Sequence, residues 1–150
     1  MTGDPESSNL IRVLLLFLRS ILIEKMYEIK IKTDFSAAHN LREVGGKCES
    51  LHGHNFIVEV AVESKELNEL GMVMDFRLLK EKTRGVLENL DHRYLNELPI
   101  FQDVNPSSEN LAAYIFGELS RQIDRGPQRV SWVSVGEGET SQATYRRQEK

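Results

Sequence analysis

One cysteine in 150 residues, Cys48, excludes an intrachain disulfide and any fold stapled by disulfides. It also excludes paired-cysteine zinc fingers and CxxC redox sites. The basic excess of a nucleic-acid binder is missing: 19 Lys and Arg stand against 23 Asp and Glu, for a formal charge of -4. No apolar run reaches the roughly 20 residues that a bilayer-spanning helix needs. The longest, residues 9–23, is interrupted by Arg12 and Arg19. There is no HExxH motif, no glycine-rich nucleotide loop and no internal repeat. These absences point to a reducing cytoplasm, with neither nucleic acid nor membrane as a partner.

What is present fits one compact domain. Hydrophobic residues make up 40% of the chain and charged residues 28%, a balance that argues against disorder. Residues 1–25 stand apart. Asp4 and Glu6 precede the apolar run where a signal peptide wants basic residues. The segment reads as an amphipathic surface helix, as a docking helix or, preferably, as sequence upstream of a start at Met26. On that reading residues 1–25 are an N-terminal extension and residues 26–150 are the single domain.

Loose alternation through Tyr27, Ile29, Ile31, Thr33 and Phe35 predicts a half-buried strand over residues 27–38. A loop of about a dozen residues follows, containing Gly45-Gly46, and long loops in compact domains are often functional. His54, Phe56, Val58, Val60 and Val62 predict a second strand over residues 52–64, antiparallel to the first. Phe76, Leu79, Thr83, Val86, Leu87 and Leu90 recur at helical spacing behind an Asp75 N-cap. Ser107 opens a second helix with Leu111, Ile115, Leu119 and Ile123 as its stripe, and Gly126-Pro127 is expected to end it. A third strand around Val130 and Trp132 and a fourth over residues 143–147 flank a turn at Gly136 and Gly138. The predicted class is α+β, with two helices on one face of a four-stranded antiparallel sheet.

The chemistry concentrates in few residues. There are four histidines, and His39, His52 and His54 fall within sixteen residues that also contain Cys48. Residues i and i+2 of a strand share a side, so His52 and His54 project together, with Gly53 expected to leave room between them. His39, at the end of the preceding strand, can come opposite. Three histidines and no fourth protein ligand describe a catalytic zinc site with an open position, although imidazole suits other transition metals too. Cys48 reads as a small buried hydrophobe, as a fourth ligand closing a structural site, or as a general base with a lowered pKa. Its polar neighbours favour the base. Asp91-His92 reads as a dipole-favoured helix terminus or as a carboxylate orienting a histidine for proton transfer. Glu137 and Glu139 are equal candidates, on composition, to accept paired N–H bonds from a guanidine-like heterocycle edge.

Six motifs then occur in one order: Phe35-Ser36-Ala37-Ala38-His39, Cys48-x-x-x-His52-Gly53-His54, Gly71-x-Val73-x-Asp75-Phe76, Leu90-Asp91-His92-x-x-Leu95-Asn96, Asn105-Pro106-Ser107-Ser108-Glu109-Asn110 and Glu139-Thr140. Over residues 27–145 the chain resembles the 6-pyruvoyltetrahydropterin synthase family, and most closely its bacterial 6-carboxy-5,6,7,8-tetrahydropterin synthase branch, because Cys48 stands four residues ahead of His52. The resemblance implies a tunnelling fold that assembles through trimers, usually into hexamers. It implies zinc on His39, His52 and His54, with Cys48 as proton acceptor and Asp91 and His92 as relay partners. It implies Glu139 as the pterin anchor, helped by Ser107 and Ser108. The implied reaction converts 7,8-dihydroneopterin triphosphate to 6-carboxy-5,6,7,8-tetrahydropterin, releasing acetaldehyde and triphosphate, within queuosine biosynthesis. Lys30, Lys47, Arg42 and Arg93 are candidate cations for the triphosphate. Two rivals stand beside this reading: a 6-pyruvoyltetrahydropterin synthase that leaves the side-chain carbons joined, and a non-enzymatic, zinc-stabilised binding module.

Overall fold

The computed structural model describes Arg12 and residues 25–148. The expectations for the N-terminal extension therefore lie outside the described residues, save Arg12 and Lys25. Strands β1 (Tyr27–His39) and β2 (His52–Ser64) pair antiparallel over their whole length, from Tyr27 opposite Ser64 to His39 opposite His52. Strands β3 (Arg129–Gly136) and β4 (Gln142–Arg146) continue the sheet in the order β1-β2-β3-β4, antiparallel throughout. Helices α1 (Phe76–Leu87) and α2 (Ser108–Ile123) complete the predicted architecture, an open sheet with two helices.

Alternation decides what each strand buries. Ile31 and Phe35 of β1, Val58 and Val60 of β2, and Val133 and Val135 of β3 share the inner face and pack against Leu79 and Val86 of α1 and Leu111, Ile115 and Leu119 of α2. The helices start where their caps allow. The Asp75 carboxylate accepts the Arg77 N–H at 2.8 Å, and the Ser107 hydroxyl accepts the Asn110 N–H. Each cap is worth about 1 kcal/mol.

Several details differ from the sequence expectation: β1 runs one residue further, to His39, and α1 stops at Leu87, leaving Leu90 beyond it. Phe76 begins α1 but is exposed, so the helix's inward stripe starts at Leu79. Helix α2 ends at Ile123, ahead of Gly126, because the Asp124 carboxylate turns to accept the Val130 N–H at 2.9 Å and leads the chain into β3. Strand β4 starts at Gln142 and stops at Arg146, one residue earlier at each end.

Strand β1 is an edge strand, but its last residues are covered. The chain after α1 lies along them: the His92 N–H donates to Ser36 O, the Ser36 N–H to an Asp91 carboxylate oxygen at 2.9 Å, and the Ala38 N–H to Arg93 O at 2.9 Å. Part of a sheet edge that could template misassembly is thereby closed, and residues 91–96 are fixed beside the histidine end of the sheet.

Leu119 is fully buried between α2 and the sheet. Leu119→Ala should lower the unfolding free energy by about 2–5 kcal/mol, read from denaturant midpoints. A loss below about 1 kcal/mol would show that α2 does not anchor the core.

Candidate active site

Full-length pairing of β1 with β2 fixes the centre. His39 sits opposite His52, and Ala37 opposite His54, on the inner face at the end of the sheet. The three rings cluster with centroids 4.7, 5.2 and 4.8 Å apart, and Phe56 packs edge-on against His39 and His54. One nitrogen from each histidine lies within 4.8 Å of the others, the spacing of a group that could hold a metal ion.

The hydrogen-bond partners decide which nitrogens are free. His39 Nδ1 lies 2.8 Å from Pro106 O and His52 Nδ1 lies 2.7 Å from Ser50 O. A carbonyl can only accept, so both Nδ1 atoms carry the proton and both Nε2 atoms present lone pairs. Those two lone pairs face each other at 3.1 Å, which is unfavourable unless a proton or a cation lies between. On His39 burial works against the proton, lowering its pKa despite the Pro106 hydrogen bond and Glu137 that favour the charged form. His54 Nε2 is buried with no hydrogen-bond partner. Converging lone pairs and an orphaned ring nitrogen fit a divalent transition metal, with the Pro106 and Ser50 carbonyls already orienting two of the rings.

Glu137 also reaches this centre. Its carboxylate oxygens lie 3.6 Å from His39 Nε2 and 3.6 Å from His54 Nε2. It lines a cavity of about 230 Å³ together with Ser107, Ser108 and Ser141. Glu139 does not come there; it is exposed in the β3–β4 turn. Strand β3 ends at Gly136, so Glu137 is the first residue past it and continues the inward parity of Val133 and Val135, while Glu139 lies at the tip of the turn. Period-two counting gives both carboxylates the same parity; the end of β3 at Gly136 is what separates them, since Glu137 follows the strand directly and Glu139 has already entered the turn. The turn also folds tightly over Gly136, where a Cβ would come within 2.7 Å of Ser141 O.

The remaining sequence-predicted residues fall around the trio. Cys48 lies in a 3-10 turn (Gly46–Glu49), exposed and outside the metal-ligand group among the described residues. Gly53 turns its missing side chain to the outward face, where a Cβ would make an ordinary 3.6 Å contact with Ala37 O, so it makes no room between the imidazoles. Asp91 Oδ2 holds His92 Nδ1 at 2.9 Å, and the Asp91 pKa is lowered, first by the Ser36 N–H and then by His92. His92 takes a left-handed backbone conformation, φ 56°, and its side chain is 80% exposed. It lies past the end of α1, so the helix-terminus reading does not apply. With Arg93 it borders a cavity of about 590 Å³ lined by the outward-face residues Ser36, Ala38, Gly53 and Asn55 and also by His54 of the trio. Of the candidate cations, Arg42 donates to Phe101 O and Val104 O. Lys30 pairs with Glu59, nine residues and thus about 30 Å of strand from His39. Arg93 and Lys47 are the two placed near the groups described above.

A family model described as 6-pyruvoyl tetrahydropterin synthase matches residues 28–148. A putative 6-carboxy-5,6,7,8-tetrahydropterin synthase of Archaeoglobus fulgidus is 42% identical over 125 residues, covering 83% of this chain and all of that one. A 6-carboxy-5,6,7,8-tetrahydropterin synthase of Synechocystis is 41% identical, covering 80% of this chain and 93% of the other. Among solved structures, the 6-pyruvoyl tetrahydropterin synthase of Caenorhabditis elegans aligns with a TM-score of 0.73 at 29% identity, over 83% of this chain and 97% of that one.

The metal reading makes its own prediction. The purified chain should carry about one transition-metal ion per copy, and a strong chelator should lower its thermal midpoint. His54→Ala should weaken metal binding by at least about 10-fold. Elemental analysis showing no stoichiometric metal, with a melting curve indifferent to EDTA, would sink the reading.

Proposed function

Because the chain belongs to the 6-pyruvoyl tetrahydropterin synthase family, we propose that this enzyme is a zinc-dependent lyase that converts 7,8-dihydroneopterin triphosphate to 6-carboxy-5,6,7,8-tetrahydropterin, with loss of triphosphate and acetaldehyde, in queuosine biosynthesis. The observation that carries the proposal is the convergence of three histidine nitrogens beside a cavity that ends in a carboxylate.

His39, His52 and His54 would hold the zinc, which supplies a Lewis acid for the substrate's side-chain hydroxyls. The chain's own groups do the rest. Glu137, rather than Glu139, accepts the paired N–H groups of the pterin edge, with Ser107 and Ser108 on the wall of the same cavity. The Cys48 thiolate takes a proton from the substrate's side chain. Asp91 orients His92 through Nδ1 and so leaves Nε2 to move protons. Arg93, beside His92, is placed to meet the anionic triphosphate. The reaction consumes one water, which balances the carboxylate, acetaldehyde and triphosphate products, and it is redox-neutral overall, so no external reductant is required.

Self-assembly is part of the proposal. The outer edges of β4 and of the first part of β1 have no partner strand within the described chain, and Cys48 and His92 stand exposed until something covers them. Copies joining edge to edge through trimers, and trimers pairing into hexamers, would enclose both. Light scattering should give a mass that is a multiple of three chains; a stable, active monomer would refute this part.

The product decides the reaction. Mass spectrometry after incubation with dihydroneopterin triphosphate should show the carboxy product and acetaldehyde, whereas a product with its side-chain carbons intact would favour the pyruvoyl synthase. Cys48→Ala should cut turnover by about 10²–10⁴-fold with metal retained. Glu137→Gln should lower kcat/KM by about 10- to 100-fold, while Glu139→Gln stays near wild type. Metal loss from either the Cys48 or the Glu137 variant would mark that residue as a ligand instead.

A further inference from the structure

Pairing between β1 and β2 stops at His39 and His52, yet the three residues that follow keep backbone partners. Asn96 uses both ends of its amide on residue 40: Oδ1 accepts the Asn40 N–H at 2.9 Å and Nδ2 donates to Asn40 O at 2.9 Å. Asn105 does the same on residue 42, accepting the Arg42 N–H at 2.7 Å and donating to Arg42 O at 3.0 Å. Between them the Leu41 N–H donates to Cys48 O at 2.8 Å. Each side-chain amide presents one acceptor and one donor, as a neighbouring strand residue would, to a chain that has run out of strand.

We infer that Asn96 and Asn105 are positioning residues of the active site, two amide clamps that fix the segment joining the metal ligand His39 to the Cys48 loop. The inference rests on the metal-centre reading proposed above. Two connections give it reach. Asn105 precedes Pro106, whose carbonyl accepts the His39 Nδ1–H, and the Asn105 carbonyl is itself held by Asn110 Nδ2 at 2.8 Å. Locking residue 105 therefore sets the carbonyl that orients one ligand. Leu41, held between the clamps, carries the hydrogen bond that registers Cys48 against β1. Ligand orientation and thiol position thus depend on the same two side chains. An aspartate could not substitute: it keeps the acceptor but sets a carboxylate oxygen against a backbone carbonyl. Asn96 is buried, so water does not readily replace the lost donor.

The test uses Asn96→Asp and Asn105→Asp, with Leu119→Ala as a destabilised control remote from the histidines. Each clamp variant should bind zinc about 10- to 100-fold more weakly, measured by competition with a chromophoric chelator, and should alter the visible spectrum of the cobalt-substituted protein. In the metal-free chain, amide exchange should accelerate at residues 40–42 and not at Val58 or Val60. Leu119→Ala should keep wild-type metal affinity and spectrum. If one clamp variant fails to fold, the other carries the test. Wild-type affinity, spectrum and exchange in a folded clamp variant would overturn the inference alone, as would an affinity loss matched by Leu119→Ala. A wild-type chain that takes up no metal would overturn the metal-centre reading and this inference with it.

Discussion

A one-residue slip of β1 against β2 would turn His39 to the outward face and leave His52 and His54 behind on the inner one, because side chains alternate with period two. The centre therefore depends on the pairing that sets His39 opposite His52. That register is not specified at the site. It is specified along the rest of both strands, where the same slip would expose Ile31 and Phe35. At about 1.5–3 kcal/mol per fully buried large apolar side chain, the core enforces a geometry that three polar rings could not enforce for themselves.

Core packing brings His39 into a place that an imidazole tolerates poorly. It is fully buried, with Phe56 against its ring. Burial lowers its pKa, which suits a ligand, since only the neutral ring has a lone pair to give. The cost is two polar nitrogens out of water. Pro106 answers for Nδ1, and Nε2 is left facing His52 and Glu137. The centre is thus a polar hole in the core that a cation would complete, and metal binding should then add to stability as well as chemistry.

How much of this could be read in advance depended on whether the feature was local. His52-Gly53-His54 declared itself because a strand's period is two, and Asp75 and Ser107 because caps sit next to what they cap. The two helices and four strands followed from periodicity together with caps and glycine or proline turns, all of them local signals. Glu137 was obscured by a dipeptide resemblance two residues further on, and only the end of β3 at Gly136 separates the two carboxylates. The outward face of Gly53 and the distance of Lys30 from His39 follow from strand period and rise, whereas the exposure of Phe76 is set by tertiary placement, which no local pattern carries. The amide clamps were invisible for the same reason: Asn96 and Asn105 stand 56 and 63 residues from the chain they hold.

The two kinds of chemistry are housed differently, and this bears on how one chain could work. The proposed metal ligands sit on strands, positioned by the core. The proposed proton carriers sit on exposed loops: Cys48 in a 3-10 turn and His92 in a left-handed turn beside β1. Proton transfer gains most where water is excluded and the electrostatic response is fixed in advance. A single chain provides that for the ligands and not for the carriers. His92, moreover, borders a cavity lined mostly by outward-face residues, and of the histidine trio only His54 also lines it. Covering the carriers with another copy would dry the thiol and the imidazole, and could bring the relay of one chain to the metal of the next. On the proposed assembly the open sheet edges would be part of the catalytic design, because they would make the surface on which another copy completes the site.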